Sequence, residues 1–265
     1  MSPLLLGMVL SLGTACAGHR QAIPPEPAWE LAGGKERARV DMADALAKGG
    51  SPEAALAMVS QIRGEGVKDS RLDLIQARAL RGIGLTDDAE SLLRDVLKKH
   101  PRQAGAWDQL GILCMDTKRL EEAQTLLARA HQLSPTDALI LNNLGFAQLT
   151  GGHPEDAVQT LHAALRLDGA DRQIRNNLGF ALVAAGQDDE ALRVFRAGLP
   201  EADARYNLAL GLELRGDDQA AIDQYAKVLA RFPSHQPSID GLRRLRPGEL
   251  HRLAPPTLDS DQEAP

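Results

Sequence analysis

The sequence predicts an all-α fold, an α-solenoid of about six stacked helical hairpins closed by a C-terminal capping helix. Three observations carry that expectation. First, Leu110-Gly111, Leu144-Gly145 and Leu178-Gly179 are each followed, twelve residues after the glycine, by an alanine: Ala123, Ala157 and Ala191. Second, those alanines stand 34 residues apart, and the register runs back at the same interval through Ala89 to Ala55. Self-similarity at a fixed period of this length marks units that cannot bury their apolar faces alone and must stack. Third, hydrophobic residues make up 43% of the chain but aromatics only 3%, so Ala and Leu supply most of the apolar mass. That composition suits closely packed helices rather than strands.

The elements follow in order. Leu4 to Leu12 is an apolar run of export-signal length, and Gly13-Thr14-Ala15-Cys16 follows it. That run resembles the lipobox of bacterial lipoproteins, which implies that residues 1–16 are a signal ending on an acylated Cys16. It departs from the pattern in placing Leu12 four residues, not three, before the cysteine. More than one acyl chain suffices for stable anchoring. Ala17 follows the cysteine where such proteins carry an inner-membrane retention aspartate, so the expected location is the periplasmic face of the outer membrane. Residues 17–34, with Pro24, Pro25 and Pro27, read as a tether.

The repeats occupy residues 35–245. In the first, Ser51-Pro52 supplies a cap and first turn, and Met42-Ala43 stands where Leu-Gly stands elsewhere. The second is degenerate at Gln76-Ala77 but ends clearly at Pro101. The third carries Trp107, Leu110, Gly111, Ala123, Leu127, Ala130 and Pro135. The fourth and fifth keep the pattern through Ala164 and Phe195. The next equivalent alanine is Ala221, thirty residues after Ala191, so the fifth repeat lacks four residues, at Gly198-Leu199-Pro200. Ile239 to Leu245 reads as the cap, and residues 246–265 as a disordered tail.

The spacing has a packing reason. A helix-interior glycine costs about 1 kcal/mol against alanine. Its recurrence at 111, 145 and 179 therefore implies that the hairpin needs the missing side chain, with the later alanine facing it and the large apolar residues filling the space between units.

The third repeat's set of residues resembles the tetratricopeptide repeat, a Trp, then Leu-Gly, an aromatic, Ala, a large apolar residue, Ala and Pro. The resemblance implies a right-handed α-solenoid whose first helices line a concave groove. Cys114 stands at the family's aromatic position and is expected to be a small buried apolar residue. The residues around Leu-Gly then become the candidate peptide site: Asn142, Asn143 and Phe146; Asn176, Asn177 and Phe180; Tyr206, Asn207 and Leu210. Amides can donate to and accept from an extended backbone, and the apolar groups can take alternate side chains. Some family members clamp a C-terminal carboxylate with a first-helix lysine. Asp108, Asn142 and Asn176 occupy that place here, so a carboxylate clamp is not expected.

A net charge of −6 argues against non-specific nucleic-acid binding. No phosphate loop, nucleophile elbow or metalloprotease motif is present, and the seven histidines lack metal-ligand spacing. The expectation is a non-enzymatic scaffold for proteins or extended peptides, with no cofactor or metal and with membrane contact through the lipid alone. The lipidated start and the segment Arg172 to Gly216 resemble lipoproteins of tight-adherence pilus assembly and, less specifically, type IV pilus pilotins. That implies help in assembling or placing a secretin or another pilus component. The same features suit an adaptor for an envelope protease or peptidoglycan hydrolase. Without export the chain would be a cytoplasmic regulator.

Overall fold

The computed structural model describes residues 34–246. Cys16, most of the tether and the tail from 247 lie outside the described residues. Among these there are thirteen α-helices and no strand. They are α1 (Gly34–Lys48), α2 (Pro52–Gly64), α3 (Arg71–Gly82), α4 (Thr86–Lys99), α5 (Ala104–Asp116), α6 (Leu120–Leu133), α7 (Ala138–Thr150) and α8 (Pro154–Leu167). Then come α9 (Arg172–Ala184), α10 (Asp188–Arg196), α11 (Glu201–Arg215), α12 (Asp218–Arg231) and α13 (Gln236–Leu245). Two compact units divide them, α1–α8 up to Asp171 and α9–α13 from Arg172.

In each unit the helices pair as hairpins, and each first helix also packs on the first helix of the next repeat. The register alanines Ala55, Ala89, Ala123 and Ala157 in one unit, and Ala191 and Ala221 in the other, are all fully buried. What meets the glycine differs from the sequence expectation. A Cβ on Gly111 would lie 2.6 Å from Leu127 Cγ, on Gly145 2.5 Å from Leu161 Cγ, and on Gly179 2.3 Å from the Phe195 ring. The partner is therefore the large residue four after the alanine, in the same hairpin. Alanine keeps the second helix thin one turn earlier, so that the large side chain can lean back onto the first helix. The large residue thus fills the interior of its own hairpin.

The turn inside each hairpin needs a left-handed residue to stop the first helix. Gly50, Gly84, Gly152, Gly186 and Gly216 supply it at φ between 75° and 94°. The third repeat places Lys118 there at φ 62°, alone among the described non-glycine residues. An L side chain in that conformation costs about 1 kcal/mol. The most completely written repeat therefore carries local strain at its turn.

At the N-termini, Pro52 does occupy the first turn of α2, but the Ser51 side chain makes no cap bond. Asp137 caps α7, accepting from the Leu139 and Ile140 N–H groups at 2.9 and 3.2 Å. The four-residue loss falls where expected: α10 is nine residues long and ends at Arg196. Across the shortened junction Arg196 pairs with Glu201 at 2.6 Å. That guanidinium, with Arg205 assisting, holds the Glu201 carboxyl down to about 2 against its partial burial. The cap α13 begins three residues earlier than Ile239 and keeps the repeat register, with buried Leu242 standing 34 residues after Leu208.

Candidate functional site

In each unit the first helices are joined side to side by polar bridges. In α1–α8, Arg71 of α3 reaches Asp41 of α1 at 2.6 Å, and Arg78 pairs with Asp44. Arg81 pairs with Asp116 of α5 at 2.6 Å. Asn143 Nδ2 of α7 donates to Asp108 Oδ1 of α5 at 2.8 Å. In α9–α13 the matching bond runs from Asn207 Nδ2 of α11 to Asn176 Oδ1 of α9, again at 2.8 Å. The amides expected to meet a peptide backbone are thus, in these two pairs, committed to the neighbouring repeat. They set the spacing of the first helices.

The other expected residues divide by exposure. Asn142, Asn177, Phe180, Asn207 and Leu210 are buried, while Asn143, Phe146, Asn176 and Tyr206 are half-buried. Phe180 packs edge-on against Phe195 with centroids 5.4 Å apart, and so belongs to the core of its hairpin. Tyr206 lies 5.8 Å from both the Tyr225 and His235 rings, and burial pushes its phenol up. Phe146 rests on the core cluster built by Leu110, Leu113 and Leu127. One turn and more before it on α7, Leu139 is 59% exposed. Leu139, Asn143 and Phe146 stand at i, i+4 and i+7, which places them on a single strip of that helix.

Asp108 is the residue whose weight the sequence pattern understates. It occupies the register position of Asn142 and Asn176, and desolvation pushes its carboxyl up to about 6. The Asn143 amide opposes that rise, Asp137 adds to it, and Arg78 and Arg81 oppose it more weakly. The folded value lies above the unfolded one, so the ionised carboxylate is the form the fold disfavours. This destabilisation is present above pH 6 and is relieved as pH falls from 6 towards 4. Asp108→Asn reproduces the amide pair that Asn176 makes in the other unit. We expect it to raise the unfolding free energy measured by urea denaturation at pH 7.5 by on the order of 1–2 kcal/mol, after allowance for the partial exposure, with the gain fading between pH 6 and 4.

One further cluster lies at the cap. His235 Nδ1 accepts from the Ser238 N–H at 3.3 Å and lies 2.9 Å from its Oγ, while Nε2 is 3.2 Å from Asp203 Oδ1. The order Asp–His–Ser is that of a nucleophilic triad, but Ser238 is fully buried and cannot reach a substrate. The histidine caps α13 and ties it to α11. Cys114 is likewise fully buried, and burial pushes its thiol up to about 11, the reverse of a reactive cysteine. Among the described residues no group of three His, Cys, Asp or Glu side chains is placed to hold a metal ion, and no helix is long and apolar enough to cross a membrane.

Comparison with known proteins agrees with this architecture. A tetratricopeptide repeat model matches residues 84–142 and 148–212, and a second tetratricopeptide repeat model matches 203–235. No curated protein matches. Among solved structures, the fold is similar to YrrB, described as a tetratricopeptide repeat protein with an unusual peptide-binding site. The identity is 21% and the TM-score 0.53, over 70% of this chain and 97% of that one. It is similar to TTC0263, a thermophilic tetratricopeptide repeat protein of Thermus thermophilus, at 23% identity and TM-score 0.55, over 74% and 99%. It is also similar to PilF of Pseudomonas aeruginosa, at 17% identity and TM-score 0.58, over 79% and 97%. Likenesses at these identities speak to fold. With two repeat models between them spanning more than half of the sequence in the register derived above, the chain belongs to the tetratricopeptide repeat family.

Proposed function

We propose that this protein is a non-catalytic scaffold of the bacterial envelope that holds an extended segment of a partner protein on its first-helix faces. The observation that carries the reading is the strip on α7. A leucine 59% exposed and a half-buried phenylalanine flank an amide fixed by Asp108 on one strip of the helix. Tyr206 offers a second half-buried aromatic in the other unit. Peptide binding by tetratricopeptide domains supports the reading, as does the peptide-binding site described for YrrB. On the sequence side, Gly13-Thr14-Ala15-Cys16 supports a lipid anchor at the periplasmic face of the outer membrane. The segment Arg172 to Gly216 supports a role in placing or assembling a pilus or secretion component.

Five of the residues first expected to touch a peptide are buried, so a test through them would report on folding. The informative variant is Asn143→Ala/Phe146→Ala/Tyr206→Ala, compared with wild type by crosslinking pull-down from membranes. Partner recovery is expected to fall at least tenfold at a temperature where helicity is retained, with a lowered thermal midpoint because Asp108 loses its Asn143 partner and Tyr225 loses the Tyr206 ring. Equal recovery removes the first-helix faces as the binding surface. Intact-mass analysis of the mature chain is expected to show acylated Cys16 as the first residue, and an unmodified Met1 ends the envelope reading.

A further inference from the structure

Resting on the peptide-binding reading of the first-helix face, we infer that Asp108 is a specificity subsite for a cationic side chain, lysine or arginine, of the extended partner segment. The geometry points to a carboxylate presented for use. Oδ1 is pinned by Asn143 at 2.8 Å, while Oδ2 accepts no hydrogen bond from the described residues and is not among the buried unsatisfied atoms. A carboxylate has acceptor capacity well beyond one bond, so one edge of the group stands open to a donor.

The surrounding charges select which donor fits. Arg78 and Arg81 on α3 are the cations nearest in effect, but Arg78 is paired with Asp44 and Arg81 with Asp116. Asp137 on the loop before α7 spends its side chain on the helix N-terminus. Asp108 and Asp137 therefore have no cationic partner among the described residues. The partial desolvation that disfavours the Asp108 charge is compensated most fully by an incoming cation, since a neutral donor returns only part of the lost solvation. The apolar neighbours define the rest of the ligand. Ile112 follows Asp108 by one turn on α5, and Leu139 and Phe146 flank Asn143 on α7. The segment that fits places one lysine or arginine at Asp108 with apolar side chains on either side.

The charge is opposite to that of a carboxylate clamp. In that arrangement a first-helix lysine meets an acidic chain end, and here the matching position carries the acid. The same register position in α9 is Asn176, whose amide oxygen accepts from Asn207. Asp108 is thus an acid where an amide builds the same inter-repeat bond, and its charge is surplus to the fold.

The test uses the full mature chain and fluorescein-labelled nonapeptides of alternating threonine and leucine, with a central lysine, arginine, acetyl-lysine, norleucine or glutamate. Fluorescence anisotropy at low salt is expected to give at least tenfold tighter binding for the lysine and arginine peptides than for acetyl-lysine and norleucine, with glutamate weakest. Asp108→Asn is expected to bring the lysine peptide to the norleucine level while leaving norleucine binding unchanged. In wild type the lysine preference is expected to shrink as pH falls from 7.5 to 5. Phe146→Ala is expected to weaken every peptide. Equal affinities for lysine and norleucine in wild type, or a preference that survives in Asp108→Asn, overturn the subsite while leaving peptide binding standing if Phe146→Ala still weakens it. Absence of binding by any peptide overturns both.

Discussion

Gly145→Leu is expected to lower the unfolding free energy by about 3 kcal/mol, the upper end of the range for overpacked cores. The first added carbon would already sit 2.5 Å from Leu161 Cγ and 2.9 Å from its Cδ2. Leu161 is fully buried and cannot swing into solvent. Three further carbons have to displace the second helix of the hairpin. Urea denaturation checks the loss, and the pair Gly145→Ala/Leu161→Ala checks its cause. The methyl group then enters space that the leucine has vacated, so the double variant is expected to be less destabilised than the sum of its two single changes. An unchanged midpoint for Gly145→Leu overturns the packing register of the repeats.

The second large effect is expected at Tyr225. Its ring is fully buried, it would meet a Cβ on Gly241 at 2.5 Å, and its hydroxyl donates to Glu213 Oε2 at 2.8 Å. Burial first, and the Glu213 carboxylate second, push the phenol well above its usual range, so it stays neutral and donates. Tyr225→Ala removes the packing between α12, α13 and Tyr206 and is expected to cost about 3–5 kcal/mol. Tyr225→Phe keeps the ring and leaves Glu213 its two contacts with Arg244 at 3.0 Å, so about 1 kcal/mol is expected. Hydrogen exchange locates the change. In an array stabilised by neighbour contacts, protection is expected to fall first in α12 and α13. A Tyr225→Ala protein with wild-type protection there removes α13 as a cap held by this ring.

Much of this architecture is legible from spacing because the repeats obey one rule many times. The interval of 34 between alanines, the glycines at 111, 145 and 179, and the loss of four residues before Ala221 each recur or break visibly. The structure bears them out as hairpins, close contacts and a nine-residue α10. Where the pattern misleads, the cause is that position along a helix does not state depth. Asn142 and Asn143 are neighbours in sequence, yet the first is 2% exposed and the second reaches Asp108. A helix advances about 100° per residue, so adjacent residues belong to different surfaces. The amides read as peptide contacts also serve as inter-repeat bonds. That use depends on a residue one repeat away, which no single repeat displays.

Lys118 makes the same point from the other side. Aligned by period it occupies a glycine's place, but only the backbone angle of 62° shows that the chain kept the turn and carried the strain. By itself the sequence determined the helical period, the repeat register, the need for a missing side chain at each glycine and the family, because these follow from local spacing repeated along the chain. The tertiary structure decided which large residue meets each glycine, which amides are buried and that Asp108 presents one free carboxylate edge. Those outcomes depend on how far one helix leans over another, a distance that no residue carries alone.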